Sequence, residues 1–159
     1  MTIPDDDPVL DFDTERDVAA RLFNLVWDLL DLPSRTPDED ELMVNAAHAS
    51  LYHWVRVGEP VNEARGEWQV SRVYAVLHRG EPALHHARRS LAICERDGIG
   101  DFDLAFAYEA MSRAHMVGGD DGEASRFAAV ARTAADRIVD EEDRQIFLND
   151  LVDLPGGRA

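Results

Sequence analysis

The tripeptide Gly-Glu-Pro occurs twice in the chain, at 58–60 and at 80–82. Glycine favours the left-handed conformation that ends a helix, and proline favours the first turn of the helix that follows. Each tripeptide therefore predicts a helix end with a helix start directly after it. Links this short make consecutive helices pack side by side in opposite directions. The two turns constrain the middle of the chain to antiparallel helices.

Apolar side chains recur at helical spacing along most of the 159 residues. This periodicity predicts seven helices, over 14–31, 37–56, 61–79, 82–97, 103–117, 122–139 and 141–151. Thr14 is the expected cap of the first helix, and Thr36-Pro37 is the expected start of the second. No stretch combines β-branched alternation with the Asn-Gly turn of a hairpin. We therefore expect an all-α chain, with a flexible acidic tail over 1–12 and one helical domain over 13–154.

Composition and charge exclude several classes of protein. The net charge is -16, and a protein that binds a nucleic-acid backbone needs clustered cations instead. All 16 basic residues are arginine, so the chain has no lysine for a Schiff base or a phosphate loop. The single cysteine, Cys94, permits no internal disulfide and no multi-cysteine zinc site. No apolar run reaches the roughly 20 residues of a membrane span, and the acidic start is unlike a signal peptide. The expectation is a cytoplasmic protein with no nucleic-acid partner, no membrane partner and no cofactor.

Small residues recur 41 positions apart in the second half of the chain: Ala83 with Ala124, Ala87 with Ala128, and Ser90 with Ala131. Small side chains at such points let two helices approach closely. Together with a large residue on the preceding helix, they form a pattern that resembles a tetratricopeptide repeat. The residues that carry the resemblance are Tyr108, Met111, Ser112, Ala114, His115, Gly119-Asp120, Glu123-Ala124, Ala128 and Ala131. A looser copy begins near Trp68, so the resemblance covers 66–138.

The chain also departs from that family. The family period is about 34 residues, shorter than the offset found here. Ser112 replaces the usual glycine, His115 the usual aromatic residue, and Asp136 the usual proline. The resemblance implies a short α-solenoid, like a tetratricopeptide stack, of antiparallel helix pairs, with a closed helical bundle as the structural alternative. The chain also resembles uncharacterised bacterial proteins, which implies no activity.

In tetratricopeptide repeats the first helix of each pair lines a concave groove. The resemblance places four residues of the clear repeat there: Phe106, Glu109, Arg113 and Met116. Helical spacing places four residues of the looser repeat on one stripe: Glu63, Glu67, Tyr74 and His78. The aromatic residues Trp54, Trp68 and Tyr108 complete the set of candidate partner-binding residues.

This mixture of arginine, carboxylate, tyrosine and histidine suits an extended peptide or a chain terminus, whose carboxylate a planar guanidinium can clamp. The alternative is that the stripe is a solvated helix face. The first hypothesis is therefore a non-catalytic module that binds a protein or peptide.

The second hypothesis is a helical bundle that binds a small molecule or a metal and has hydrolytic activity, using His53, Glu67, His85 or His86. His85 and His86 point about 100° apart on a helix, so a metal site must be assembled across helices. No HExxH or Glu-x-x-His motif is present. Cys94 lies on an apolar helix face, where burial makes a thiol inert. No motif indicates an enzyme.

Two surface features allow further interpretations. Arg88-Arg89 and Arg96, beside His85 and His86, form a local cationic cluster that either docks an acidic partner or the chain's own tail, or is a solvated face. The terminal helices of a short repeat stack expose apolar surface, and dimerisation can bury it. Trp27 and Phe147 are the candidate homodimer contacts, and each fits a core position equally well.

Overall fold

A computed structural model describes residues 10–157 and, in that range, contains seven α-helices and no strand. The helices are α1 (Phe12–Leu30), α2 (Pro37–Val57), α3 (Pro60–Val76), α4 (Gly80–Asp97), α5 (Asp101–Val117), α6 (Asp121–Ala135) and α7 (Glu141–Asp150). The prediction of an all-α chain with seven helices is confirmed. The largest difference in a helix bound is at the end of α6, which stops at Ala135.

The capping residues explain where the first two helices begin. Thr36 and Glu39 form a reciprocal capping box at the start of α2, as the Thr36-Pro37 signal predicts. The prediction of Thr14 as the cap of α1 is wrong, because its N–H donates a hydrogen bond of 3.0 Å to the carboxylate of Asp11, which is the cap. Thus α1 begins inside the stretch expected to be a tail, and residues 1–9 of that expected tail lie outside the described part of the chain.

The two Gly-Glu-Pro turns do not use a left-handed glycine. Gly58 is extended, and Gly80 is the first residue of α4. The left-handed residue of the α3–α4 turn is His78, with φ 57°, and 41 positions later Gly119 takes φ 83° in the α5–α6 turn. The expected short links between helices are present, but the prediction that Gly58 and Gly80 end their helices in the left-handed conformation is wrong.

The helices form three antiparallel pairs that stack in chain order, and α7 packs on α5 and α6. Buried serines join the members of a pair through a backbone carbonyl. The hydroxyl of Ser71 donates 2.8 Å to the carbonyl of Ala83, and that of Ser112 donates 2.7 Å to the carbonyl of Ala124. Ser112 follows Ser71 by 41 positions, and Ala124 follows Ala83 by the same number. The offset seen in the sequence is therefore a repeated contact in the structure.

The central helices α3 and α5 have neighbours on both sides. Ten of the 17 residues of α3 and nine of the 17 residues of α5 are buried. Phe147 of α7 is fully buried in the same core, so it is not a homodimer contact. Within residues 10–157, no helix has the length and apolarity required to cross a bilayer.

Candidate functional site

The odd-numbered helices α1, α3, α5 and α7 line one groove with a volume of about 570 Å³. This volume lies within the usual range for ligand sites, about 300–1,000 Å³. One residue of α4, Ser90, also reaches the groove. The other residues that line this aromatic groove are Phe23, Trp27, Ala64, Arg65, Trp68, Asp101, Phe102, Asp103, Phe106, Asp143, Ile146 and Asp150. Its floor is aromatic and its edge is mostly acidic.

The aromatic floor is a continuous row of contacting rings. The ring centroids of Trp27 and Trp68 are 5.5 Å apart, and those of Trp68 and Phe106 are 5.3 Å apart. Phe102 continues the row 4.6 Å from Phe106, and Phe147 joins it from below at 4.9 Å. Trp68 and Phe106 meet edge to face, as do Phe106 and Phe147, which is a favoured arrangement of aromatic rings. The row therefore links α1, α3, α5 and α7 into one surface.

A buried carboxylate holds this floor from beneath. Glu109 has no exposed surface, and it accepts a hydrogen bond of 3.1 Å from the indole N–H of Trp68. Arg72 and Arg113 donate to its other oxygen at 3.1 and 2.5 Å. Arg113 also donates 3.0 Å to the backbone carbonyl of Asp150, which ties α5 to α7. This network fixes the orientation of the Trp68 indole.

The edge of the groove carries four carboxylates and one guanidinium. Arg65 donates to both oxygens of Asp103, at 2.6 and 3.0 Å. Asp101 has φ 52°, in the left-handed region that few residues other than glycine adopt, and its carboxylate accepts a hydrogen bond of 3.2 Å from the backbone N–H of Val139. Burial raises the pKa of the Asp150 carboxyl, and the nearby Glu109 acts in the same direction, while Arg72 and Arg113 act against them.

A second polar cluster lies between α2, α3 and α4. This histidine cluster consists of His48, Glu67, Tyr74, His86 and Arg89. Glu67 accepts hydrogen bonds from His86 at 2.6 Å and from Arg89 at 2.5 Å, and the Tyr74 hydroxyl lies 2.8 Å from the His48 ring nitrogen. Burial acts to raise the pKa of Glu67, but the hydrogen bonds from His86 and Arg89 outweigh it and hold that pKa below its ordinary value. Burial lowers the pKa of His48, and the charge of His86 adds to this effect.

The structure distributes the predicted partner-binding residues over several places. Trp68 and Phe106 line the aromatic groove, and Glu109 and Arg113 lie beneath its floor. The other predicted residues lie elsewhere: Glu67 and Tyr74 are in the histidine cluster, Trp54 is under the guanidinium of Arg16, Tyr108 is partly buried against the core, and His78 is exposed in the α3–α4 turn. Glu63 also faces α4, where Arg89 lies 3.8 Å from it. The expected stripe from Glu63 to His78 therefore does not face the groove.

Most of the groove residues are not among those predicted from the sequence. Phe23 and the aspartates at the edge are not predicted, and Trp27 is predicted only as a homodimer contact or a core residue. A usable signal was present, because Phe23 and Trp27 on α1 repeat the four-residue spacing of Phe102 and Phe106 on α5. Residues four apart lie on one helix face. Two aromatic residues at this spacing on α1, and two more on α5, indicate an aromatic surface that the two helices share.

The residues of the metal hypothesis do not meet at one point. His53 lies 3.0 Å from the carboxylate of Glu15, His86 bonds Glu67, and His85 is exposed. Among residues 10–157, no group of three or more histidine, cysteine, aspartate or glutamate side chains is placed to hold a metal ion. The structure therefore does not assemble the expected set.

The remaining sequence candidates lie away from the groove. Cys94 is 1% exposed, and burial raises the pKa of its thiol to about 11, so the thiol stays protonated at neutral pH. On the outer face of α4, His85, Arg88 and Arg89 line a shallow depression, and Arg89 is already engaged by Glu67. Arg96 pairs with its neighbour Asp97.

At about 570 Å³, the aromatic groove is larger than the depression on α4, which has a volume of about 390 Å³. Comparison of the chain with family models, with curated proteins and with solved structures finds no significant match.

Proposed function

We propose that the chain is a non-catalytic binding module, similar to a short tetratricopeptide stack, that holds a segment of a partner protein in the aromatic groove. The observation that carries the proposal is the row of contacting rings that runs along the groove from Trp27 through Trp68 to Phe106. Aromatic side chains supply large apolar contact area at low cost in conformational entropy, and they dominate many binding sites.

The polar groups of the groove support binding rather than catalysis. Ser90 carries the only hydroxyl among the described lining residues, and it donates 3.0 Å to the carbonyl of Ala64. A catalytic serine needs an adjacent base and a free path to the substrate. The groove also lacks histidine and cysteine among those lining residues, so we assign its aspartates to recognition.

A cytoplasmic location is part of the same proposal. Cys94 is buried and forms no disulfide. A free buried thiol suits the reducing interior of a cell.

The test immobilises the protein on a resin and selects the peptides that it retains from a synthetic library of random hexapeptides with blocked termini. Two matched variants of α7 are compared with the wild type. Ile146 lines the groove and is 50% exposed, so Ile146→Arg should obstruct the groove without disturbing the core. Leu148 is 39% exposed on the same helix and does not line the groove, so Leu148→Arg adds the same charge elsewhere. Circular dichroism checks that both variants remain folded.

We expect the wild type and Leu148→Arg to retain the same peptides, and Ile146→Arg to lose them. Tryptophan fluorescence then gives the affinity, because Trp27 and Trp68 lie in the groove whereas Trp54 does not. Trp54→Phe should keep the binding signal. The proposal is wrong if the wild type retains no more peptide than the empty resin, or if Ile146→Arg retains as much as the wild type.

A further inference from the structure

We propose that the segment held in the aromatic groove carries a basic side chain, whose cationic group lies at the acidic edge near Asp143 while its apolar stem lies on the rings. This inference depends on the proposed function and names the chemistry of its partner. It is the reverse of the arrangement expected from the sequence, in which Arg113 clamps a carboxylate.

The charges at the edge are unbalanced in favour of a cation. Arg65 is the one cationic side chain among the described lining residues, and its guanidinium already forms a two-bond ion pair with Asp103. Asp150 has only a long contact of 3.5 Å from Arg72, and Asp101 accepts one backbone N–H. Three carboxylates at the edge therefore lack a strong cationic partner of their own.

Asp143 is the best placed of these three carboxylates. It is partly buried in the first turn of α7, beside the groove. Its charge acts on Arg65, but no hydrogen bond reaches its carboxylate from residues 10–157. A carboxylate that is partly removed from water and not hydrogen-bonded gains most from a charged donor.

The rings favour the same ligand. A guanidinium or ammonium group is attracted to the face of an aromatic ring within about 6 Å, and tryptophan is the best acceptor. Elsewhere in the chain, Arg16 lies 5.4 Å from the ring of Trp54, and Arg79 lies 5.0 Å from the ring of Tyr74. Within residues 10–157, no arginine covers Trp27 or Trp68 in this way. Trp68 is only 9% exposed, whereas Trp27 is partly exposed, so Trp27 is the ring that a cation from a partner reaches first.

An acidic segment or a chain terminus fits the groove poorly. Arg72 and Arg113, which lie beneath the floor, both donate to the fully buried Glu109. Arg65, at the edge, is already paired with Asp103. Binding a second carboxylate would require breaking that network and bringing an anion to an acidic edge. Like charges brought together in this way oppose binding.

The experiment uses the peptides retained from the random library and one matched change in the protein. Retained peptides should be enriched in arginine or lysine and depleted in aspartate and glutamate. For the tightest of them, we compare the peptide with a version in which neutral citrulline replaces arginine, or norleucine replaces lysine. We expect the neutral version to bind about tenfold more weakly.

The matched pair in the protein is Asp143→Asn and Glu142→Gln. Both remove one carboxylate from the first turn of α7, but Glu142 is exposed and does not line the groove. We expect Asp143→Asn to weaken binding of the basic peptide about threefold, and Glu142→Gln to leave it unchanged. Equal melting temperatures would show that the helix tolerates both changes equally.

The outcomes separate this inference from the proposed function. If peptides are retained but are neutral or acidic, or if the neutral version binds as tightly, the basic-partner inference is wrong and the binding module stands. The same conclusion follows if Asp143→Asn and Glu142→Gln behave alike. If the wild type retains no peptide, both proposals fail together.

Discussion

The indole N–H of Trp68 donates a hydrogen bond of 3.1 Å to the carboxylate of Glu109, which lies 41 positions later in the chain. The two residues therefore occupy equivalent places in consecutive helix pairs. Arg72 and Arg113 are also 41 positions apart, and both donate to the same carboxylate. The equivalent positions 68 and 109 carry different side chains that contact each other, whereas 72 and 113 both carry arginine. This contact joins the floor of the aromatic groove to the core of the stack.

Removing the charge of Glu109 should destabilise the protein strongly. Glu109→Gln leaves Arg72 and Arg113 without their shared carboxylate, and breaking such a buried pair costs about 3 kcal/mol. Urea unfolding measures the change. Glu141 pairs with Arg144 at the surface, so Glu141→Gln is the control, with an expected loss of less than about 0.5 kcal/mol. Similar losses in the two variants would contradict the assigned role of Glu109.

The two serines that join the helices within a pair, Ser71 and Ser112, should contribute equally to the free energy of unfolding. Ser71→Ala and Ser112→Ala each remove a hydrogen bond to a buried backbone carbonyl, so each should lower the free energy of unfolding by about 1 kcal/mol. Ser125→Ala on the exposed face of α6 should change it little. Losses that differ by more than about 1 kcal/mol would show that the 41-residue equivalence does not extend to energetics.

Gly80 is required by a close approach between two turns. A Cβ atom at Gly80 would lie 2.7 Å from the Cα and 2.8 Å from the nitrogen of Gly118, and both are backbone atoms that cannot rotate away. Gly80→Ala should therefore cost about 1–3 kcal/mol in thermal or urea unfolding. Gly122→Ala, where the nearest atom is 3.7 Å away, should be neutral or stabilising because alanine favours a helix. A Gly80→Ala protein as stable as the wild type would rule out the close approach.

Stability should fall in mild acid because of His48. Burial lowers the pKa of His48 in the folded chain, the charge of His86 lowers it further, and Glu67 acts in the opposite direction. The unfolded chain then binds a proton at a pH where the folded chain does not, so the free energy of unfolding decreases as the pH falls below about 6.5. The stability that the folded chain has with neutral His48 is fully present above that pH, and it is lost as the pH falls toward the lowered pKa of His48.

The test compares urea unfolding at about pH 7.5 and pH 5.5 for the wild type and for His48→Gln. Removing His48 should make the decline smaller, by at most about 1.4 kcal/mol per pH unit. His85 is exposed, so His85→Gln should keep the full decline. If the two variants show the same dependence on pH, His48 is not the group responsible.

Local sequence determined the helices and their order. Periodic apolar residues, the Thr36 capping box and the short links predict seven antiparallel helices, because each of these signals acts within one or two turns of the chain. The offset of 41 between small residues also survives as the repeated bonds of Ser71 and Ser112. Local signals were less decisive for caps, since Asp11 rather than Thr14 begins α1.

Only the tertiary structure decided which faces of the central helices form the groove. Most of α3 and about half of α5 are buried, so apolar and polar residues do not mark a single inward face, and Trp68 and Tyr74 are equally plausible groove residues from the sequence. The rotation of α3 is set mainly by packing against α2, α4 and α5 together. That packing turns Trp68 toward α5 and Tyr74 toward α2, and it brings Trp27 from α1 and Asp143 from α7 to one groove. The site depends on contacts between residues far apart in the chain, which no local pattern encodes.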